Sequence, residues 1–386
     1  MDTHFITHIN INHVRHLQHI DIPLAENTRK HVMITGKNGS GKTSVIEALK
    51  NYMERYSDAD LRQMVFSGAL RVGYSKEIED FGLTLCIKNE ESLKQDVSEG
   101  RFIIAYYADE REYMVDNESH IEKVKFQQHY AIKEHPGKDF VKYLLDMKST
   151  AAMAEVAGKV ERANEIKKWF KKFDGILQLI FNNPNVHLAF DIESYEFSII
   201  EPGKEPFSFA TLSRGYAAIL DIVTDLMMRM ETHVTKIYNM PGIVLIDEIE
   251  THLHIELQKK IMPILTRLFP QIQFIVTTHS PFVLNSIANT VIYDLENNTL
   301  VCSDKGLSNV PYEGIIEGYF HASTLSDTLK QKYDRFKILS AKQNFTADDY
   351  EEIAKLEEYL DEVPDYLAVD FMADYTRLKL ELESRG

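Results

Sequence analysis

The octapeptide Gly36-Lys37-Asn38-Gly39-Ser40-Gly41-Lys42-Thr43 constrains this chain more than any other segment. It fits G-x-x-x-x-G-K-[ST] in full. Ahead of it runs His31-Val32-Met33-Ile34-Thr35, a short apolar run that reads as a strand. Behind it Val45, Ile46, Ala48 and Leu49 fall at helical spacing. Strand, glycine loop and helix in that order let the backbone curl until successive N–H groups face one anion, backed by the positive end of the helix. Lys42 adds a point charge for β- and γ-phosphates, and the Thr43 hydroxyl is a ligand for Mg²⁺. Gly36, Lys37, Asn38, Gly39, Ser40, Gly41, Lys42 and Thr43 are therefore expected to bind ATP together with Mg²⁺.

A second element supports that reading. Gly242-Ile243-Val244-Leu245-Ile246 is a hydrophobic run ending in two carboxylates, Asp247 and Glu248. In open α/β sheets, ligands sit beyond the carboxyl ends of the strands. Asp247 is thus expected near Thr43, holding Mg²⁺ through water, and Glu248 one residue on, orienting or deprotonating an attacking water. Further unalternating runs at 272–277 and 291–294, interleaved with helical patterns at 212–230 and 255–269, predict an α/β fold with a mainly parallel sheet covered on both faces.

The remaining segments are less specific. Residues 5–11 alternate with period two, 20–22 continue the strand character, and 81–87 and 101–107 are further strand candidates. From 138 to 181 Lys, Glu and Ala are abundant and glycines few, which reads as an inserted helical arm; a β-like segment follows at 186–200. The tail from about 324 is helical and acidic, with Thr346 and Asp349 as a capping box and Pro364 as a stop. The expected organisation is a core over 1–300 and a helical acidic extension over 301–386. Within the core, 1–80 and 235–300 form the nucleotide lobe, 138–182 the insertion and 211–232 a helix.

A formal charge of −16 disfavours nucleic-acid binding over the whole surface, because phosphate contacts need clustered Lys and Arg. Lys167, Lys168, Lys171 and Lys172 are the best local patch and keep nucleic acid open as a partner. Trp169, Phe170 and Phe173 between them would point inward, which favours a solvated helix face. Two cysteines, Cys86 and Cys302, no apolar stretch near the ~18 residues a span needs, and no signal-peptide core at the N-terminus predict a cytoplasmic protein with no membrane partner.

Leu212-Ser213-Arg214-Gly215-Tyr216, about thirty residues before the Asp–Glu pair, resembles the L-S-x-G-x signature of the ABC-type ATPases. His279, in Thr277-Thr278-His279-Ser280-Pro281, matches the family's switch histidine. Ile249-Glu250-Thr251-His252-Leu253-His254 is similar to the E-x-H-L-H run of the soluble branch that holds OLD-type, SMC-like and phage-defence ATPases. Asn12-His13-Val14-Arg15 resembles that branch's N-F-R, with His13-Val14 in place of Phe. The resemblance covers roughly residues 1–50 and 200–295. It yields no clear Q-loop, for which Gln127 and Gln128 are the nearest candidates. His252 and His254 alone are too few for a zinc site.

The resemblance implies a P-loop NTPase of ABC-ATPase type with an N-terminal β-subdomain. It implies a homodimer or higher oligomer around ATP, with Ser213 and Gly215 of one chain facing the γ-phosphate on the other and His279 sensing it. It also implies ATP hydrolysis, with Glu248 and His279 as catalytic residues. No acidic cluster of nuclease type stands out in 296–386. The chain looks like the sensor or motor ATPase of a bacterial anti-phage module, similar to those of Septu or retron-associated systems, working with a separate nuclease or toxin. The alternatives are a DNA-repair or chromosome-associated ATPase head and a slow ATP-gated scaffold.

Overall fold

A computed structural model describes residues 4–57, 82–111, 121–231, 238–302, 307–315, 325–342, 344–363 and 369–383. The chain divides into two compact units, Met1–Val310 and Pro311–Gly386. Phe81, Pro364, and the stretches 58–80 and 235–237 of the expected nucleotide lobe lie outside the described residues.

In the first unit the elements run β1 (Ile6–Val14), β2 (Leu17–Pro23), β3 (His31–Thr35), α1 (Lys42–Ser57), β4 (Leu83–Ile87), α2 (Glu90–Ser98) and β5 (Ile103–Tyr107). They continue as α3 (Phe140–Val156), α4 (Val160–Phe181), β6 (His187–Phe190), β7 (Phe197–Ile200), α5 (Arg214–Met230) and β8 (Gly242–Ile246). The last are α6 (Ile255–Leu268), β9 (Ile272–Thr277), α7 (Pro281–Leu284), β10 (Thr290–Asp294) and β11 (Thr299–Val301).

The central sheet has the order β11-β10-β3-β9-β8-β5. From β10 to β5 every pairing is parallel, while β11 is an antiparallel edge strand that continues the sheet past residue 300. β3, β8, β9 and β10 are buried along their whole length, as strands covered on both faces must be. This is an α/β fold with a mainly parallel sheet flanked by helices. A second sheet, β2-β1-β4, is antiparallel and packs Ile9, Ile11 and Ile22 into the same apolar cluster as Val45, Ile46 and Leu49 of α1.

The 138–181 stretch, read as a helical arm, consists of two helices. Gly158 at φ +72° breaks it between α3 and α4, a backbone state that favours glycine. α4 buries Ala163, Ile166, Trp169, Phe173, Leu177 and Ile180 at helical spacing. Of these, Trp169 and Phe173 join Phe140 of α3 and Phe209 in an aromatic cluster, with Trp169 and Phe173 stacked at 5.6 Å. Lys167, Lys168, Lys171 and Lys172 are all exposed, as expected of the solvated face.

The second unit holds α8 (Asp327–Ser340), α9 (Ala347–Asp361) and α10 (Val369–Glu383), closed around Phe336, Leu339, Leu360 and Tyr375. Thr346 caps α9: its hydroxyl accepts from the Asp349 N–H at 3.2 Å while Asp349 accepts from the Thr346 N–H at 2.9 Å. Among the described residues no helix is long and apolar enough to cross a membrane.

Candidate nucleotide site

The loop between β3 and α1 adopts a backbone that only glycine tolerates at two crowded points. Gly36 sits at φ +141°, where a Cβ would stand 2.6 Å from Ser40 Oγ. Gly41 sits at φ +101°, where a Cβ would meet Leu17 Cδ1 at 2.8 Å. The Lys42 ammonium, nearly buried, folds back over the loop and donates to the carbonyls of Gly36 at 2.9 Å and Lys37 at 3.2 Å. Lys37 points away and pairs with Glu296 at 2.6 Å.

Parallel pairing places β9 between β3 and β8, so the ends of all three strands lie side by side. Asp247, at the end of β8, is wholly buried. Its Oδ1 accepts from the Thr277 hydroxyl at the end of β9, while Oδ2 has no hydrogen-bond partner. Burial pushes the Asp247 carboxyl up, against hydrogen bonding from Thr277 and a smaller pull from the Thr43 hydroxyl. An orphaned carboxylate oxygen next to a threonine hydroxyl fits Mg²⁺, which keeps several waters and takes few protein ligands. Among the described residues no group of three or more His, Cys, Asp or Glu forms a protein cage for a metal, His252 and His254 included.

Glu248 stands at φ +42°, a left-handed conformation uncommon outside glycine and concentrated at functional sites. Its N–H donates to Thr277 Oγ1 at 2.7 Å. His279 follows β9, and its N–H and ring Nδ1 both reach Glu250 Oε1, at 2.6 and 3.0 Å. The Glu250 contact raises the His279 imidazole above its ordinary range. Burial raises the Glu250 carboxyl, but the His279 ring and backbone outweigh it, so it is held below its ordinary range. Nδ1 is thereby committed to Glu250, and Nε2 is left for a ligand.

Asn38, Gly39, Gly41, Lys42, Thr43, Glu248 and His279 line one cavity of about 490 Å³. Arg15, His16 and Ser44 complete its wall. Arg15 pairs with Glu47 at 3.5 Å, and His16 Nε2 reaches the Ser40 carbonyl at 3.2 Å. Sequence reading did not single out His16, since a loop histidine between strands carries no pattern of its own.

Ser213 and Gly215 do not line this cavity. Ser213 is the exposed N-cap of α5, and its hydroxyl makes no capping bond. Gly215 is buried against α6, where a Cβ would lie 3.1 Å from Leu257 Cδ1. Gln127 and Gln128 are also elsewhere: both are exposed, bonded to Glu134 at 3.3 Å and the Glu99 carbonyl at 3.1 Å.

Sequence reading also missed a buried polar layer beneath α5. Tyr107 at the end of β5 donates to Asp225 at 2.7 Å, and Asp225 pairs with Arg229 at 2.8 Å. Burial and the Asp225 charge push Asp221 up to about 7, against the pull of Arg111. A carboxyl raised by folding takes up a proton, so its stabilising contribution is full below its unfolded value and is lost as pH rises through about 7. Asp221→Asn, neutral at every pH, should therefore gain more thermal stability relative to wild type at about pH 8 than at about pH 5. Melting curves at both pH values check this, and an equal difference at both refutes the assignment.

Comparison with known proteins follows the same lines. The chain is 30% identical over 193 residues to the "Retron Ec83 probable ATPase" of Escherichia coli, a match covering 48% of this chain and 34% of that protein. It is 32% identical over 189 residues to the "Septu protein PtuA" of Bacillus mycoides (strain KBAB4), covering 44% of this chain and 26% of that protein. The "Septu protein PtuA" of Bacillus thuringiensis is 24% identical over 285 residues, covering 66% of this chain and 67% of that protein. The chain thus matches well under half the length of the first two relatives. A family model matches residues 32–285, from the strand that opens the glycine loop to the helix after His279. With about two thirds of its length so matched, the chain belongs to the family described as AAA domain, putative AbiEii toxin, Type IV TA system.

Proposed function

We propose that this chain is a Mg²⁺-dependent ATPase that dimerises around ATP and drives or gates a bacterial anti-phage complex whose effector, a nuclease or toxin, is a separate protein. The observation that carries the ATPase reading is the shared cavity: Lys42 and Thr43 on one wall, Glu248 and His279 on another, and Asp247 with an unpaired oxygen beside Thr43.

The chemistry follows from those positions. Lys42 would exchange the Gly36 and Lys37 carbonyls for β- and γ-phosphate oxygens. Thr43 directly, and Asp247 through water, would hold Mg²⁺, which neutralises phosphate charge when bound. Glu248 would accept a proton from water as its oxygen attacks the γ-phosphorus. The bond to the bridging oxygen breaks, and ADP and inorganic phosphate leave. His279, charged through Glu250, would donate from Nε2 to the γ-phosphate.

The dimer reading rests on Ser213. An exposed hydroxyl at the N-terminus of a 17-residue helix is a good anion ligand, yet it lies off its own chain's phosphate cavity. It is best placed to serve a second copy. Ser213→Arg should leave ATP affinity nearly intact and block ATP-dependent dimerisation. Sedimentation with and without ATP, on a hydrolysis-deficient background, reads both; a variant that still dimerises overturns the assignment.

The defence reading rests on the relatives named for retron and Septu systems. In it, the first compact unit is the ATPase core, and the helical second unit, with its exposed acidic residues, is the assembly or partner surface. Co-purification from the native operon, with mass spectrometry of bound protein and nucleic acid, tests it. A bound or neighbouring nuclease, reverse transcriptase or toxin supports it. A recombination nuclease, with turnover stimulated by DNA ends, would favour direct action on DNA instead.

A further inference from the structure

Arg111 is a buried cation beside the candidate site whose guanidinium donates four hydrogen bonds, and neither its sequence context nor the phosphate chemistry assigns it a task. It lies four residues past the end of β5, which pairs in parallel with β8. Only 7% exposed, it donates from Nη1 to the carbonyls of Ala108 at 3.1 Å and Asp247 at 2.9 Å. From Nη2 it donates to the carbonyls of Glu248 at 3.0 Å and Ile249 at 3.4 Å.

The three carbonyls after β8 are consecutive in sequence. In an extended strand, consecutive carbonyls point in opposite directions, so one side chain cannot reach all three. They converge here because Glu248 is turned to φ +42°. A guanidinium, planar and many-donored, can hold such a converging set, whereas an ammonium offers its donors from a single atom. The opposite end of the same turn is pinned by Thr277, whose hydroxyl accepts from the Glu248 N–H. Glu248 is therefore clamped from both sides of its own peptide units while its side chain faces the phosphate loop.

We propose that Arg111 is a positioning residue: by holding the carbonyls of Asp247, Glu248 and Ile249 together, it keeps Glu248 in the left-handed turn that aims its carboxylate into the nucleotide cavity. The proposal rests on the reading of Glu248 as the group that activates water. Arg111 touches neither phosphate nor water in this scheme, and it does not line the phosphate cavity. It lines a different one, of about 310 Å³, with Leu212, Arg214, Ala217 and His252.

The test is a double-mutant cycle on the purified full chain with ATP and Mg²⁺, using Arg111→Lys, Glu248→Gln and the pair. Displacing a catalytic group by about 1 Å costs about a hundredfold in rate, so Arg111→Lys should lower kcat by about tenfold to a hundredfold while ATP affinity stays within about twofold. On the Glu248→Gln background the same change should cost nothing further, because the group it positions is already inactive. Multiplicative losses, a loss in ATP affinity with kcat preserved, or wild-type kcat in Arg111→Lys each overturn the proposal. Wild-type turnover in Glu248→Gln alone would instead overturn the underlying reading, so the two failures are distinct. If Arg111→Lys is not soluble, Arg111→Ala assayed with millimolar guanidinium takes its place: saturable recovery of kcat supports the clamp, and no recovery overturns it.

Discussion

Glu248→Gln should bind ATP within about twofold of wild type and hydrolyse it about 10²- to 10⁴-fold more slowly, the range that general-base catalysis contributes. The amide has the shape of the carboxylate but cannot take a proton at neutral pH. The backbone that aims residue 248 is held by Thr277 and Arg111, neither of which contacts the altered side chain in the described hydrogen bonds. Binding should therefore survive while the proton acceptor is lost. Nucleotide titration gives affinity, and phosphate release under single-turnover conditions gives the chemical rate. Equal rates in variant and wild type would end the general-base assignment. A slow variant should also accumulate ATP-held dimers, since closure then outlasts hydrolysis.

Lys42→Ala should cost more in binding than any other single change in the loop. The Lys42 ammonium is nearly buried and is held by two carbonyls of the same loop, so its charge sits where phosphates would enter. Hydrogen bonds to charged groups are worth about 1.5–3 kcal/mol each, so losing contacts to two phosphates should raise the Kd for ATP at least about a hundredfold. Calorimetric titration with ATP and Mg²⁺ reads the loss, and a melting curve separates it from unfolding. A folded Lys42→Ala protein with wild-type affinity would show that the loop binds nucleotide without its cation, or binds none.

Much of the fold was legible because it is written in short-range patterns. His31–Thr35, Gly242–Ile246 and Ile272–Thr277 are strands within the bounds their apolar runs suggest, since strands buried on both faces need no alternation. The Thr346–Asp349 capping box is a four-residue device and is fully formed. The insertion at 138–181 was less legible: its composition is helical throughout, and a single glycine at 158 turns it back on itself. Composition records propensity, but the direction of a chain after a break depends on which apolar faces find each other. Here the aromatic face around Trp169 does so.

The candidate site divides in the same way. By itself the sequence determined the loop from Gly36 to Thr43, because the spacing of its glycines and the lysine at the helix start form one short-range pattern between a strand and a helix. It also marked Asp247, Glu248 and His279 as ends of buried strands. Tertiary structure alone decided that Glu248 and His279 share one cavity with the loop, because strand order and not chain order places β9 between β3 and β8. It alone revealed Glu250 behind His279, Thr277 between Asp247 and Glu248, and Arg111 beneath the turn. Arg111 lies 136 to 138 positions from the carbonyls of Asp247, Glu248 and Ile249 that it holds, and no periodicity reaches that far. The glycines of the loop are recognisable from their spacing along the chain, whereas the turn at Glu248 is held by groups that only folding brings beside it.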